Sequence, residues 1–469
     1  MIGYARMLLH RVRGNQRDAR MREHLALQWL PMDELRQRQF WRLAALVRHA
    51  YVTVPRYRAL LDDMGMRPED IRSFADFATL PELPRDIVLT RPSDLAATAL
   101  SGGPPIGSEC LSAGGNAMRF CQDTSAREEM YANWSLCLSF AGWRTSDMVV
   151  RLHPSPSPGR GKTPHGVRQW LSGCMTVDAG SYGKDEIAGW LRGIRRYGRV
   201  YVHGGVSVLV DMAEHALATG ARMPDVRGII ATGGRLHEGQ RALITQAFGC
   251  RVQQLYGTDE VPCIAVECEF GNMHMLTHST YVEFVPDQSD RPDRSDWPDV
   301  PDRPDQAGAP GVTDAPGVSP RLLVTDLDNR AMPLLRYDTG DHAIAVDGAC
   351  PCGRGFPLMR LDTGDTWFVK ADGRRLSRAG MERRLARLKG VRALRLVQTV
   401  TGRVDMYVVR GVGFDADADA RLRASCRYVE GNIVPGLAVV LHYVDAPREG
   451  QLPGNAGGGA DCAVPGGAS

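Results

Sequence analysis

The sequence predicts an α/β protein: a large domain on a mainly parallel sheet, entered through a run of helices and followed by a small second α/β domain. Three observations carry this. Residues 1 to about 100 hold apolar positions near helical spacing, as in MDELRQRQFWRLAALVRHAY. From about 145, short β-rich runs such as MVVRL, RVYVHG and VRGIIATGG alternate with amphipathic stretches such as VSVLVDMAEHAL and HEGQRALITQAFG, the pattern of βαβ units. Beyond about 361, RAGMERRLARLKGV sets Met381, Leu385 and Leu388 on one helical face ahead of strand-like RALRLVQTV, RVDMYVVRG and LAVVLHYV.

Taken in order, residues 1–100 form the helical lead-in, in which RPEDIRSFADF opens with a proline and acids as a helix start should. Residues 101–360 form the core. Ligands of a parallel sheet sit at the carboxyl ends of its strands, and GIIATGGR and QQLYGTDE both end strands in glycine and polar residues. Residues 287–320 hold eight Asp and seven Pro, with Asp at every third place from Asp287 to Asp305. Such a segment buries too little apolar surface to offset its ordering entropy, and a disordered insertion is expected. Residues 361–445 form the small domain, and the tail 446–469, with seven glycines, is expected to be flexible.

Composition narrows the function. A chain of 469 residues, 43% hydrophobic, can bury a large core. Its 57 basic and 54 acidic residues, net +3, supply no field that would select nucleic acid or a membrane surface. No apolar run approaches the roughly 20 residues that a membrane span needs, and Arg6 interrupts the N-terminal apolar stretch, so no signal peptide is read and a cytoplasmic location is expected. Eleven scattered cysteines make no disulfide framework. The lysines number four, Lys162, Lys184, Lys370 and Lys389.

GIIATGGR, YGTDE and RLLVTDLDNRAMPLLRYDTGD, in that order and spacing, with LVRHAYVTVPRYRALLDDMG and LPELPRDIV ahead and CPCGRGFP behind, resemble the adenylate-forming enzymes. The resemblance is closest to their phenylacetate-CoA ligase and capsule-biosynthesis-like branch, and it covers nearly the whole chain. It implies a large adenylate-forming N-terminal domain and a small C-terminal domain that swings over the site. It implies activation of an aryl or acyl carboxylic acid by ATP and Mg2+, then transfer to CoA or a carrier-protein thiol, in a biosynthetic or polysaccharide-linked setting. An acyl carrier protein and a second copy of the chain are the macromolecular partners to consider. By the family pattern Tyr256 of the Tyr256-Gly257 pair stacks on adenine, Thr258 touches the α-phosphate and Glu260 helps hold Mg2+. Asp341 takes the ribose hydroxyls, and Gly233 and Gly234 let the backbone approach the nucleotide. His203, at a strand end, would face the acyl pocket, or be a satisfied strand-end histidine. Cys268, His274, Cys350 and Cys352 offer four ligands for a structural Zn2+, or four core residues without a metal.

The chain departs from the family pattern in three places. Its phosphate loop, CLSAGGNAMRF, keeps Ser112 as the one hydroxyl between Cys110 and Phe120, leaving Gly114 and Gly115 to offer backbone N–H groups. No lysine follows Lys389, so Arg448 is the cation nearest the place of the adenylation lysine, and a guanidinium fork is no equivalent of a point ammonium. Asp365 is the hinge carboxylate in a compressed RLDTGDTW. These departures leave a second reading open: a degenerate member that binds nucleotide, acyl ligand or a partner, or a transferase that performs thiolation alone.

Overall fold

The computed structural model describes residues 16–99, 106–111, 117–153, 173–179, 182–221, 225–234, 236, 238–286, 320–362, 367–369, 375–377, 391–400, 403–410, 414–428 and 438–444. Outside these lie the phosphate-loop residues Ser112, Gly114 and Gly115, the hinge candidate Asp365, and Arg448, Lys162, Met381, Leu385 and Leu388. The Asp/Pro segment up to residue 319 and the tail lie outside them as well.

The expected helical lead-in comprises α1 (Arg17–Leu27), α2 (Met32–Thr53), α3 (Pro55–Asp63) and the short α4 (Phe74–Ala78) and α5 (Arg85–Thr90). Pro55 ends α2 and starts α3, since its fixed φ suits a first helical position and its missing N–H is no loss there. The apolar spacing of α2 and α3 buries Leu43, Leu46, Val47, Tyr57 and Leu61 against Leu322, Val324 and Tyr337 of the sheet. Burying each such side chain is worth about 1.5–3 kcal/mol.

A hairpin, β1 (Ile106–Leu111) with β2 (Ala117–Gln122), precedes α6 (Thr124–Phe140). The Asp123 carboxylate caps α6 by accepting from Ala126 N at 2.7 Å. Then follow β3 (Met148–His153), β4 (Cys174–Asp178), α7 (Lys184–Ile194), β5 (Arg199–Gly205), α8 (Val206–Thr219), β6 (Asp225–Thr232), α9 (Glu238–Phe248) and β7 (Val252–Tyr256). After them come β8 (Ala265–Glu267), β9 (Met273–Met275), β10 (Thr280–Val285), β11 (Arg321–Asp326), β12 (Tyr337–Val346) and β13 (Leu358–Asp362).

All but the hairpin join one 11-stranded sheet in the order β10-β11-β12-β13-β9-β8-β7-β6-β5-β3-β4. The parallel pairing expected from the alternating pattern holds from β4 to β7. From β7 to β10 every neighbouring pair is antiparallel, so the sheet is mixed. The reason is local: β7, β8 and β9 are joined by turns too short for the helical crossover that parallel neighbours require. Within the parallel half, β4 lies on one side of β3 while β5, β6 and β7 build outward on the other. That reversal makes the β3–β5 boundary a topological switch point.

A hairpin of β14 (Trp367–Val369) and β15 (Arg375–Ser377) leads to a three-stranded sheet. In it β16 (Val391–Val400) and β17 (Arg403–Arg410) are antiparallel, and α10 (Ala416–Tyr428) carries the chain to β18 (Ala438–Val444), parallel to β17. The three strand-like runs read from the sequence are these three strands.

Candidate active site

β7 delivers Tyr256 to the carboxyl edge of the sheet, and the chain turns sharply at Gly257. A Cβ there would collide with the backbone of Val261 and Pro262, so only glycine fits. Thr258 N donates to Val261 O at 3.0 Å, and Val261 N donates back to Thr258 Oγ1 at 3.1 Å. The turn therefore fixes the Thr258 hydroxyl oxygen as an acceptor and leaves its proton available to a ligand.

Across the sheet, β12 brings up Tyr337 and Asp341. Tyr256 Oη donates to Asp341 Oδ2 at 2.9 Å, and Tyr337 Oη donates to Glu260 Oε1 at 2.6 Å. Two motifs some eighty residues apart in sequence are thus laced by two tyrosine–carboxylate bonds. Glu260 is 1% exposed, yet its Oε2 has no hydrogen-bond partner. A buried carboxylate oxygen left this way carries a large desolvation cost, which a cation would relieve. Desolvation raises the Asp341 carboxyl above its usual range although Tyr256 and Arg85 oppose it, and desolvation with the Asp341 charge raises Tyr256 well above its own.

Arg85 completes the group and was not singled out by its sequence. The segment before it pairs with the start of β12, where Leu83 N donates to Arg336 O and Asp338 N to Leu83 O, each at 2.9 Å. This sets Arg85 at the site, its Nη1 donating to Thr339 O at 3.0 Å. Desolvation works against its charge, but Tyr337, Glu260, Asp341 and Asp259 outweigh it and raise its pKa. Tyr337 was also missed, although it is the first letter of YDTGD.

Gly233 and Gly234 follow β6 with φ of +66° and +154°, conformations that side chains strain to adopt. Gln254 Nε2 holds Gly234 O at 3.1 Å, tying this turn to β7 beside Tyr256. His203, 3% exposed at the end of β5, lies 3.3 Å from Thr232 Oγ1 through Nε2. Burial, aided by Arg151 and His153, keeps its ring neutral.

The four metal-ligand candidates come together, with one donor atom from each of Cys268, His274, Cys350 and Cys352 within 4.8 Å of the others. Cys268 and Cys350 sulfurs are 3.6 Å apart, and Cys352 Sγ is 3.3 Å from His274 Nε2. A tetrahedron with metal–sulfur bonds of about 2.3 Å has edges of about 3.7 Å, so the quartet has the size of such a site. His274 Nδ1 is engaged by Phe356 O at 2.9 Å, which orients Nε2 inward, as the outer partner of a metal-bound histidine does. Cys263 stands apart from this set and pairs with Cys137.

No family model matches the chain. It is 26% identical to the phenylacetate-coenzyme A ligase of Thermus thermophilus over 343 residues, 70% of this chain and 69% of that one. A stretch of 49 residues is 51% identical to the phenylacetate-coenzyme A ligase of Aromatoleum evansii, covering 10% of this chain and 11% of that one. Among solved structures, 2-hydroxyisobutyryl-CoA ligase in the postadenylation state with 2-HIB-AMP superposes with a TM-score of 0.61 at 18% identity, covering 89% of this chain and 87% of that one. The same ligase with 2-HIB-AMP and CoA in the thioesterification state gives 0.53, also at 18%, covering 93% and 90%.

Proposed function

From a chain homologous to phenylacetate-coenzyme A ligases and folded as an adenylate-forming CoA ligase, we propose an acid–thiol ligase that activates a carboxylic acid with ATP and passes the acyl group to CoA. The carrying observation is the convergence of Tyr256, Asp341 and Glu260 with the Gly233–Gly234 turn at one edge of the sheet, with Glu260 Oε2 buried and unpartnered.

In this reading Tyr256, its ring steadied through Asp341, lies against adenine. Asp341 keeps lone pairs for the ribose hydroxyls after accepting from Tyr256. The Thr258 proton reaches the α-phosphate, and Glu260 holds Mg2+, whose charge offsets that of the phosphates. Ser112, Gly114 and Gly115 would wrap the outer phosphates, with Asp365 at the hinge and Arg448 arriving from just beyond the small domain. Arg85 adds a cation that does not depend on that domain. A chain with no lysine after Lys389 therefore still has a guanidinium beside the acidic group, where it opposes charge gathering on the transferring phosphoryl. The Cys268–His274–Cys350–Cys352 quartet would hold a structural Zn2+, pinning β9 and the turn that precedes it to the loop between β12 and β13.

ATP–pyrophosphate exchange over a panel of acids, run beside nucleotide calorimetry, tests this. Exchange above background with one acid is expected. The missing lysine favours one other reading, nucleotide binding or thiolation without adenylation, which predicts tight ATP binding and no exchange. CoA and a phosphopantetheinylated carrier protein, offered separately as acceptors, would decide between the two thiols.

A further inference from the structure

The wall of the sheet behind the nucleotide motifs is unlike an apolar acyl pocket. Arg151 of β3 and His203 of β5 are register partners across the β3–β5 boundary, the switch point at which doubly wound sheets take their ligands. Both side chains lie toward α6, whose Trp134 meets the His203 ring edge-on at 4.2 Å and lies under the Arg151 guanidinium at 4.5 Å. Three nitrogens here are buried without a hydrogen-bond partner, namely Arg151 Nε, Trp134 Nε1 and His203 Nδ1. Thr232 Oγ1 engages Nε2 of the neutral His203 ring, so Arg151 Nε and Trp134 Nε1 are donors left without an acceptor and His203 Nδ1 is a third ring nitrogen without a partner.

Among the described residues no carboxylate forms an ion pair with Arg151, whose Nε is left without a partner. A second guanidinium, Arg17 of α1, lies over the Tyr131 ring at 3.8 Å with its Nε also unpartnered. Desolvation lowers its pKa, partly offset by Glu128, Tyr131 and Asp18, and Arg151 is near enough to lower it further. The cluster adjoins the nucleotide motifs on two sides: Thr232 immediately precedes Gly233, and Arg151 acts on Cys263 just beyond the Tyr256–Glu260 turn.

We propose that this cluster of Arg151, His203 and Trp134, with Arg17 behind, receives a second anionic group on the acid to be activated, so that the substrate class is a dicarboxylate. This assignment rests on the adenylating function proposed above. A half-buried guanidinium whose Nε is shut off from water without an acceptor binds a carboxylate through charge-assisted bonds and is poorly suited to a hydrocarbon tail. One carboxylate of the diacid would take the α-phosphate, and the other would be held here.

The test uses matched acids that differ by one carboxylate, phenylacetate against 2-carboxyphenylacetate and hexanoate against adipate. Each is offered to the full chain and to Arg151→Met and Arg151→Lys, with ATP–pyrophosphate exchange and calorimetric binding as readouts. The expected result is a diacid preference of roughly 30-fold or more in kcat/KM. The ratio should collapse toward one in R151M and return in part in R151K, thermal unfolding establishing that each variant is folded. Equal use of both acids by the unaltered protein overturns the proposal even if no variant folds, and so does a preference that R151M leaves intact. If no acid supports exchange, the adenylating reading has failed and calorimetry decides this one. Arg151-dependent binding of the diacid over the monoacid upholds the proposal, and equal or absent binding overturns it.

Discussion

Arg85 stands where Tyr337, Glu260 and Asp341 converge, and its value can be measured apart from that of the small domain. Arg85→Ala should lower the exchange rate by about two decades with a smaller loss of ATP affinity, the magnitude typical of one preorganised charge facing a transition state, and Arg85→Lys should recover part of it. Arg85 lies in LPELPRDIV, a stretch that carries the family resemblance without giving the arginine a role. Its neighbours became visible only when Leu83 paired with β12. Asp326, at the end of β11, gives a pH prediction. Burial, reinforced by Asp328, pushes its carboxyl up to about 7, against about 3.9 in an unfolded chain. Between those values the folded state binds more protons than the unfolded state, so stability should fall as pH rises from about 4 to about 7 and then level off. Asp326→Asn should flatten that slope, as read from denaturant midpoints across the pH range.

At the level of elements, the turn after β7 and the start of β12 hold the site in register. Gly257→Ala must displace the Val261–Pro262 backbone that fixes Thr258. Exchange should fall at least tenfold, while unfolding cooperativity is retained. Arg336, at φ +52° immediately before Tyr337, forms an ion pair with Glu283, both about 8% exposed, with Arg336 Nε 3.1 Å from Glu283 Oε1. Removing one partner of such a pair leaves the other charge buried, and Arg336→Met should cost about 3–5 kcal/mol in urea unfolding. R336M combined with Glu283→Leu should lose less. The sequence shows both residues but not their pairing, because they stand 53 positions apart, across the long Asp/Pro segment.

For the whole molecule, that segment offers a simple test. Val285 and Arg321, on either side of it, are register partners in antiparallel strands, so a turn of a few residues could join β10 to β11. Replacing residues 288–318 with a short Asn-Gly turn should keep the unfolding temperature within a few degrees and preserve exchange, because loop-closure entropy varies slowly with length. Loss of both would mean that the segment has contacts of its own.

The sequence by itself determined the alternation of strands and helices, the helical lead-in, the three strands of the last sheet, and the glycine-acid motifs. Each of these is written in consecutive residues, through period, turn chemistry or fixed spacing. The metal-ligand candidates could be listed, but their meeting within 4.8 Å depends on β9 pairing with β13. Tertiary structure alone decided the antiparallel half of the sheet, the Tyr256–Asp341 and Tyr337–Glu260 bonds, the place of Arg85, and the grouping of Arg151 and Trp134 with His203. These are long-range pairings, set by strand order and by which buried polar atoms find partners, and no local stretch of sequence encodes either.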